Sequence, residues 1–205
     1  MKLARRSLLV AAVLAATLPL HAQTPTPVEV AGVKYEPTAS VGGTRLQLNG
    51  AGVRYKAGIF KVYTAGLYLQ NKATTPEGVD SAPGPRRMHI VMLREIDANE
   101  LGKLFTRGME ENATREEFAK SINGTIKLGE MFAARKKLVT GDYFTIDFLP
   151  GTGTVISVNG KPSMEAVKEP EFFAALMHIW LGRRPADSQL KDALLGKAAA
   201  GRPET

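Results

Sequence analysis

The sequence predicts an α+β fold with one mostly antiparallel sheet, and the order of its elements is the main reason. Strand-like segments come first in a block, two helix-like segments follow, and a hairpin and two more helices close the chain. This segregated order is typical of α+β domains, because parallel sheets need crossover helices between their strands. With 205 residues, 44% of them hydrophobic, the chain is long enough for one domain with a substantial core.

The first 22 residues have the pattern of a secretory signal peptide. Three basic residues precede an apolar run from Leu8 to Leu20, and Ala22 ends an acceptable cleavage site. The apolar run is too short for a comfortable membrane span. We therefore expect a periplasmic protein that begins near Gln23 and has no membrane span after cleavage. The alternative is that the segment is retained as an N-terminal anchor.

Composition and charge exclude several classes of function. The formal net charge is +7, and three of these charges lie in the predicted signal, which leaves +4 for the rest. The basic residues are scattered and lack interleaved aromatics, so we expect no nucleic-acid partner. Without cysteine there is no disulfide, thiol nucleophile or cysteine-ligated metal. His89 and His178 lie far apart in sequence, and no Gly-rich phosphate loop is present, so we expect no metal and no cofactor.

The strand block begins with a short hairpin. Val28–Val30 and Val33–Tyr35 are strand-like, and Gly32 lies in the turn between them. We assign residues 23–39 to a leader and this first hairpin.

The centre of the predicted sheet lies in the stretch NGAGVRYKAGIFKVYTAGLYL, residues 49–69. Asn49-Gly50 is a strong turn signal, and residues 56–58 suggest a second turn. The segment Ile59–Leu69 is apolar or aromatic on both faces, which is typical of a central strand.

Residues 71–87 contain three prolines and two glycines and predict a surface loop, followed by a strand over Met88–Leu93. Two helix starts come next, because Asp97 precedes Glu100, and Thr114 precedes Glu117, at capping-box spacing. The apolar residues that follow these starts at helical spacing are Leu101, Leu104, Phe105 and Met109, and then Phe118, Ile122 and Ile126.

The last third of the chain predicts a hairpin and two helices. Tyr143–Leu149 and Thr154–Val158 are strand-like, and Asn159-Gly160 is again a hairpin signal. Pro170 suits the first turn of an aromatic-rich helix, and a final helix is expected over Ser188–Leu195.

Arg54 is the candidate binding residue, because it stands at the head of an otherwise apolar strand. A guanidinium in a low-dielectric place needs an acceptor, and its planar fork suits a carboxylate. Thr64 has the same parity in an extended chain, and Tyr63 and Tyr68 add hydroxyls nearby. Two interpretations are open, and the residues alone favour the first, an internal salt bridge from Arg54 to one of the 20 acidic residues. The second is a pocket for an amphipathic acid.

Five segments in this order resemble the chalcone isomerase-like superfamily, and in particular its exported bacterial members. They are NGAGVR, GIFKVYTAGLYL, MHIVMLREIDANELGKLFTRGME, DYFTIDFLPGTGTVISVNGK and FFAALMHIWLGRRPADSQLKDALLG. The resemblance covers residues 40–196 and leaves residues 197–205 as a C-terminal tail. It implies an open-faced β-sandwich, in which a layer of helices covers a large antiparallel sheet and a ligand cleft lies between them.

The resemblance also implies roles for single residues. Arg54 matches the arginine that, in true chalcone isomerases, orients the substrate and stabilises the developing enolate. Thr64 matches a threonine that helps to hold a water at the substrate carbonyl. The polar residues that the enzymes carry on later helices are replaced here by Phe118, Ser121, Thr125 and Ile179.

These replacements favour a non-catalytic member of the superfamily that binds a fatty acid or a similar apolar carboxylate. Arg54 is the expected carboxylate anchor. The other expected ligand-binding residues are Thr64, Tyr63, Tyr68, Phe118 and Ile179. Two alternatives remain, an isomerase (intramolecular lyase) of the chalcone isomerase type and a protein-interaction domain whose cleft is vestigial.

Overall fold

The computed structural model describes residues 26–197. The predicted signal peptide, residues 1–22, lies outside the described residues, as does the predicted tail beyond Lys197.

A seven-stranded antiparallel sheet is the largest element of the fold, as the sequence predicts. Its strands lie in the order β11-β10-β9-β6-β5-β4-β3, and two further pairs, β1-β2 and β7-β8, form small sheets. The strands are β1 Val28–Val30, β2 Val33–Tyr35, β3 Thr38–Val41, β4 Thr44–Lys56, β5 Phe60–Leu69, β6 Arg86–Met92, β7 Ile96–Asp97, β8 Lys137–Leu138, β9 Tyr143–Leu149, β10 Gly153–Val158 and β11 Lys161–Pro162.

Helices cover one face of this sheet. They are α1 Pro76–Asp80, α2 Ala98–Asn112, α3 Arg115–Ala133, α4 Pro170–Leu181 and α5 Ser188–Leu194. Asp97 and Thr114 cap α2 and α3, as the sequence predicts. The short α1 lies inside the predicted loop of residues 71–87; Thr75 caps it and Pro76 occupies its first turn. Within residues 26–197, no helix is both long enough and apolar enough to span a bilayer.

The main core lies between the sheet and the helices. Phe105 of α2 makes edge-on contacts with Phe132 of α3 and Trp180 of α4, at centroid distances of 5.6 and 5.4 Å. It also contacts Phe144 of β9. On the opposite face of the sheet, the β1-β2 hairpin buries Tyr35 in a smaller apolar cluster. The result is the open-faced sandwich that the resemblance implies.

The predicted turn at Asn49-Gly50 is wrong, because β4 continues through these residues. In the pairing with β5, Leu48 lies opposite Tyr68 and Gly50 lies opposite Leu67, so Asn49 is the extra residue of a β-bulge. A residue inserted in this way switches the face to which alternate side chains point. Before the bulge, Leu48 packs on the same face of the sheet as Tyr35. After the bulge, Gly52 is also even-numbered but faces α5.

The bulge is held in place by the side chain of Asn49, which is buried. Its amide nitrogen donates to the carbonyl oxygens of Ala73 and Leu194, at 2.9 and 2.7 Å, and its oxygen accepts from the amide of Ala73 at 2.8 Å. The residue after Asn49 has to be glycine, because a β-carbon on Gly50 would lie 2.0 Å from the carbonyl oxygen of Ala193. The bulge therefore fixes α5 directly against β4.

Helix α3 buries a different face from the one that its apolar residues predict. Ile122 and Ile126 are exposed, whereas Ser121 and Thr125 are buried. Both hydroxyls donate to backbone carbonyls of their own helix, which removes the cost of burying them. Gly124 lies between them and lets Phe172 of α4 pack at a distance that a β-carbon would forbid.

Replacement of Asn49 tests the role of the bulge. Asn49→Ala leaves the buried carbonyl oxygens of Ala73 and Leu194 without their donor, so we expect the free energy of unfolding to fall by about 1–3 kcal/mol for each group left unpaired. Denaturant unfolding measures this, with Asn123→Ala on the exposed side of α3 as the control. Equal stability of the two variants would contradict the proposed role.

Candidate functional site

A cleft of about 230 Å³ lies between β4 and β5 on one side and α2 and the end of α4 on the other. Its apolar lining includes Val62, Ile96, Leu101, Leu104, Phe105 and Ile179. Both Val62 and Tyr63 reach it, although neighbours in a regular strand point to opposite faces. The reason is a second register shift, since Arg54 lies opposite Tyr63 and Tyr55 lies opposite Lys61, which leaves Val62 as the extra residue.

The charged side chains of the cleft are mostly basic. Arg54, Lys56, Arg107 and Arg184 line it, together with the acidic Glu111. Four cations and one anion give the lining a net charge of +3. A concave surface with this balance attracts anions, and its apolar wall favours an anion with a hydrocarbon body.

Arg54 is half-buried and has no ion pair with any residue between 26 and 197. The structure thus gives no support to an internal salt bridge as the reason for this arginine. Its Nη1 donates only a long hydrogen bond, 3.4 Å, to the carbonyl oxygen of Tyr55. Its guanidinium carbon lies 5.9 Å from the ring centroid of Tyr63, the residue opposite it in the sheet. The weak contacts leave the planar donor fork of Arg54 available to a ligand.

Tyr63 is fully buried behind Arg54 and is anchored by α4. Its hydroxyl oxygen accepts a hydrogen bond of 2.8 Å from Nε1 of Trp180. Burial raises the pKa of Tyr63 to about 12, although the positive charge of Arg54 acts in the opposite direction. The phenol is therefore neutral at ordinary pH and can donate its own proton, but it cannot serve as a base.

Thr64 and Tyr68 do not lie in the cleft, which corrects two of the predicted ligand-binding residues. Both point to the opposite face of the sheet, where the hydroxyl of Tyr35 donates to Oγ1 of Thr64 at 2.8 Å. The hydroxyl of Tyr68 donates to the carbonyl oxygen of Glu36 at 3.0 Å. The physical reason is the register shift at Val62, which lies between the two residues in the chain and places Arg54 opposite Tyr63 instead of Val62, so that Arg54 and Thr64 point to different faces.

The two remaining predicted residues have different outcomes. Ile179 lines the cleft, where it packs against Gly108 of α2. Phe118 lies in α3 and packs against the core away from the cleft. The helix that walls the cleft is α2 rather than α3, so the sequence comparison that selected Phe118 chose the wrong helix.

The charged residues that sequence reasoning missed are Lys56 of β4, Arg107 and Glu111 of α2, and Arg184 after α4. Arg107 and Glu111 are four residues apart and therefore share one helical face, next to the apolar residues Leu104 and Phe105. That spacing was a signal in the sequence. Nothing in the sequence indicates that Arg184 lies near them.

Two ionisable groups on the opposite face of the sheet, outside the cleft, are paired or neutral. On the opposite face, Arg87 holds Asp147 through two hydrogen bonds of 2.6 Å. Burial lowers the pKa of the neighbouring His89 to about 4, so its imidazole is uncharged at neutral pH. Residues 26–197 contain no group of three or more metal-ligating side chains. The cleft thus offers cations, a neutral phenol and apolar walls.

The chain is similar to a known protein family in sequence and to a solved structure in fold. Residues 27–196 match the model of a protein family described as chalcone isomerase-like. No curated protein matches the sequence. Among solved structures, the crystal structure of a fatty-acid binding protein from Arabidopsis thaliana is similar, with a TM-score of 0.65 and 13% sequence identity. The similarity covers 82% of this chain and 94% of that chain, and at this identity it shows a shared fold.

Proposed function

The chain belongs to the chalcone isomerase-like family, and we propose that it binds a fatty acid or a similar apolar carboxylate in its cleft without catalysing a reaction. The observation that carries this proposal is Arg54, a half-buried guanidinium at an apolar cleft that has no ion pair within the described chain. A carboxylate would supply the acceptors that the guanidinium lacks. The Arabidopsis protein of similar fold is a fatty-acid binding protein, which supports this ligand class.

Tyr63 supports the same polar end of the site. Its oxygen accepts from Trp180, and its own proton has no acceptor among residues 26–197. A ligand oxygen held by Arg54 would lie next to this phenol, because the two residues face each other across β4 and β5. Tyr63 could therefore donate a second hydrogen bond to the carboxylate.

The two alternative functions have less support. An isomerase of the chalcone isomerase type would need polar groups from the helix that walls the cleft, but Ser121 and Thr125 lie on α3 outside the cleft, and α2 contributes mainly apolar side chains there. The lining contains no histidine, and the high pKa of Tyr63 excludes it as a base near neutral pH. A vestigial cleft would be filled by the protein's own side chains, whereas this one retains about 230 Å³.

The size of the cleft indicates the length of the ligand. An apolar cavity of about 150 Å³ accommodates benzene, which has six carbon atoms. By the same ratio, the 230 Å³ of this cleft accommodates on the order of nine non-hydrogen atoms. Two of these atoms are the carboxylate oxygens, so we propose a medium-length chain with about seven carbons in the cleft and any further carbons outside it.

We also propose that the protein acts in the periplasm. The support is the basic and apolar pattern of the first 22 residues, which is typical of a cleaved signal. An exported protein with an acid-binding cleft would hold its ligand in an aqueous compartment where free fatty acids are poorly soluble.

Replacement of Arg54 tests the binding site. Arg54→Met should weaken acid binding about tenfold to a hundredfold, because a charged hydrogen bond contributes about 1.5–3 kcal/mol. Arg54→Lys should recover part of the loss, since an ammonium lacks the planar fork. Isothermal titration with octanoate and decanoate measures the affinity, and thermal unfolding should show little change because no carboxylate is left unpaired.

Two controls make this result specific. Arg45→Met removes an exposed arginine at the far end of the same strand, and it should leave the affinity unchanged. Methyl esters of the same acids should bind the original protein as weakly as the acids bind Arg54→Met. Equal affinity of the original protein for acid and ester would show that no carboxylate is recognised, and the proposal would fail.

A chain-length series tests the proposed ligand size. Each methylene that enters the cleft should raise the affinity about fourfold, from roughly 0.8 kcal/mol of apolar burial. We expect this gain to stop near about seven carbons in titrations of straight-chain acids. A constant gain up to sixteen carbons would show that the cleft opens further, which would refute the size limit but not the acid binding.

The form of the protein in the cell tests the proposed location. Mature protein recovered from a periplasmic fraction should begin at or near Gln23, as determined by N-terminal sequencing or intact mass. Soluble cytoplasmic protein that retains Met1 would rule out export.

A further inference from the structure

The turn between β4 and β5 exposes two large apolar side chains next to each other. Ile59 is 66% exposed and Phe60 is 52% exposed. Single exposed apolar residues are common on protein surfaces, but a turn tip is usually small and polar. The pair at this tip therefore calls for a physical explanation.

The backbone holds this tip in a fixed shape beyond the edge of the sheet. Ala57 and Gly58 both have positive φ, 51° and 73°, as in the tight type I′ turns that suit hairpins. The neighbouring strand β6 pairs with β5 only from Tyr63 onwards. The segment from Tyr55 to Lys61 is thus a two-stranded arm, with Ile59 and Phe60 at its end. We call this whole segment the hairpin tip.

The charges around the hairpin tip are positive and unpaired. Lys56 and Lys61 lie on either side of the apolar pair and are exposed. Arg94 is close to β5, because the amide of the preceding residue, Leu93, donates to the carbonyl oxygen of Val62. None of the three has an ion pair with a described residue. Two acidic groups in neighbouring segments are already engaged, since Glu95 pairs with Lys137 and Asp187 accepts from the amide of Tyr55.

A second exposed apolar pair provides a useful contrast. Ile122 and Ile126 are 44% and 55% exposed on α3, but their surroundings carry both signs of charge. Ile126 lies in a shallow groove beside α3, and in this groove Lys127 forms an ion pair with Glu165 and Glu130 adds a further negative charge. This pair lacks the excess of positive charge that marks the hairpin tip.

We propose that the hairpin tip docks on an anionic lipid surface. Ile59 and Phe60 would enter the boundary between headgroups and acyl chains, while Lys56, Lys61 and Arg94 contact the anionic headgroups. A protein partner or a second copy of this chain would have to present apolar and acidic groups together opposite the tip. A lipid surface supplies both the apolar layer and the charge.

Docking in this orientation would bring the cleft to the membrane. Lys56 belongs to both the hairpin tip and the cleft lining, and Arg54 lies two residues before it on the same strand. An amphipathic acid could then pass between bilayer and cleft with a short path through water. The docking itself does not depend on acid binding, so each can fail without the other.

A tryptophan placed at the tip reports docking locally. Trp180 is the only tryptophan of the sequence and is buried, so Phe60→Trp adds one exposed fluorophore to the full chain. The probe is a vesicle of phosphatidylcholine, alone or with an equal amount of phosphatidylglycerol, and no fatty acid is added. We expect a blue shift and quenching by brominated acyl chains with the anionic vesicles only, and both effects should weaken at high salt.

Matched variants separate the tip from the rest of the chain. Ile122→Trp reports the apolar pair on α3 and should show neither effect, even if the N-terminal segment attaches the chain to vesicles. In the Phe60→Trp background, Lys56→Gln and Lys61→Gln should each weaken docking about fivefold. Ile59→Ser should weaken it about tenfold. Unfolding midpoints close to that of the original protein confirm that the variants are folded.

Three results would overturn the proposal. The first is an unshifted Phe60→Trp emission with anionic vesicles, which would leave a protein partner as the explanation of the tip. The second is an equal response from Ile122→Trp. The third is a shift that depends on protein concentration without vesicles, which would indicate pairing between two copies of this chain.

Discussion

The β-bulge at Asn49 is the constraint on which the rest of the site depends. It adds one residue to β4, and beyond it the even-numbered side chains turn from the Tyr35 face to the helix face. Arg54 is one of these side chains, so without the bulge its guanidinium would point away from the cleft. The Asn49 side chain also binds Leu194 of α5, and the same contact therefore orients Arg54 and attaches the last helix.

The arginines on the two faces of the sheet differ in whether they are paired with an acidic group. On one face Arg87 is neutralised by two short hydrogen bonds to Asp147, and the group is complete within the protein. On the other face, the polar and ring contacts of Arg54 within residues 26–197 are the ring of Tyr63 and a distant carbonyl oxygen. A protein keeps a half-buried charge in this unsatisfied state at some cost in stability, and a ligand that supplies the missing acceptor recovers that cost. The difference between the two arginines is the physical basis of the binding role that we propose for Arg54.

Half of the predicted site residues lie in the cleft, and the division has a physical cause. Arg54, Tyr63 and Ile179 line it. Thr64 failed because its predicted place assumed regular alternation from residue 54 to residue 64, and Tyr68 lies on the same excluded face. Phe118 was selected by the family resemblance alone and lies in α3, whereas the helix that walls the cleft is α2. The buried Ser121 and Thr125 of α3 show the same limit, since hydroxyls that bond to their own helix pack like apolar groups.

The sequence by itself determined the elements and their class. Most strands, four helices and the antiparallel sheet were predicted from local features. These features are the capping residues, the positions of proline and glycine, and the spacing of apolar residues typical of strands or helices. The tertiary structure alone decided whether Asn49-Gly50 is a turn or a bulge, because that choice rests on Ala73 and on Leu194, 145 residues away. It also decided which charges meet, since Arg54, Arg107 and Arg184 come from three separate elements. Local chemistry specifies how each segment folds, whereas the face that a side chain presents depends on the register between segments distant in the chain.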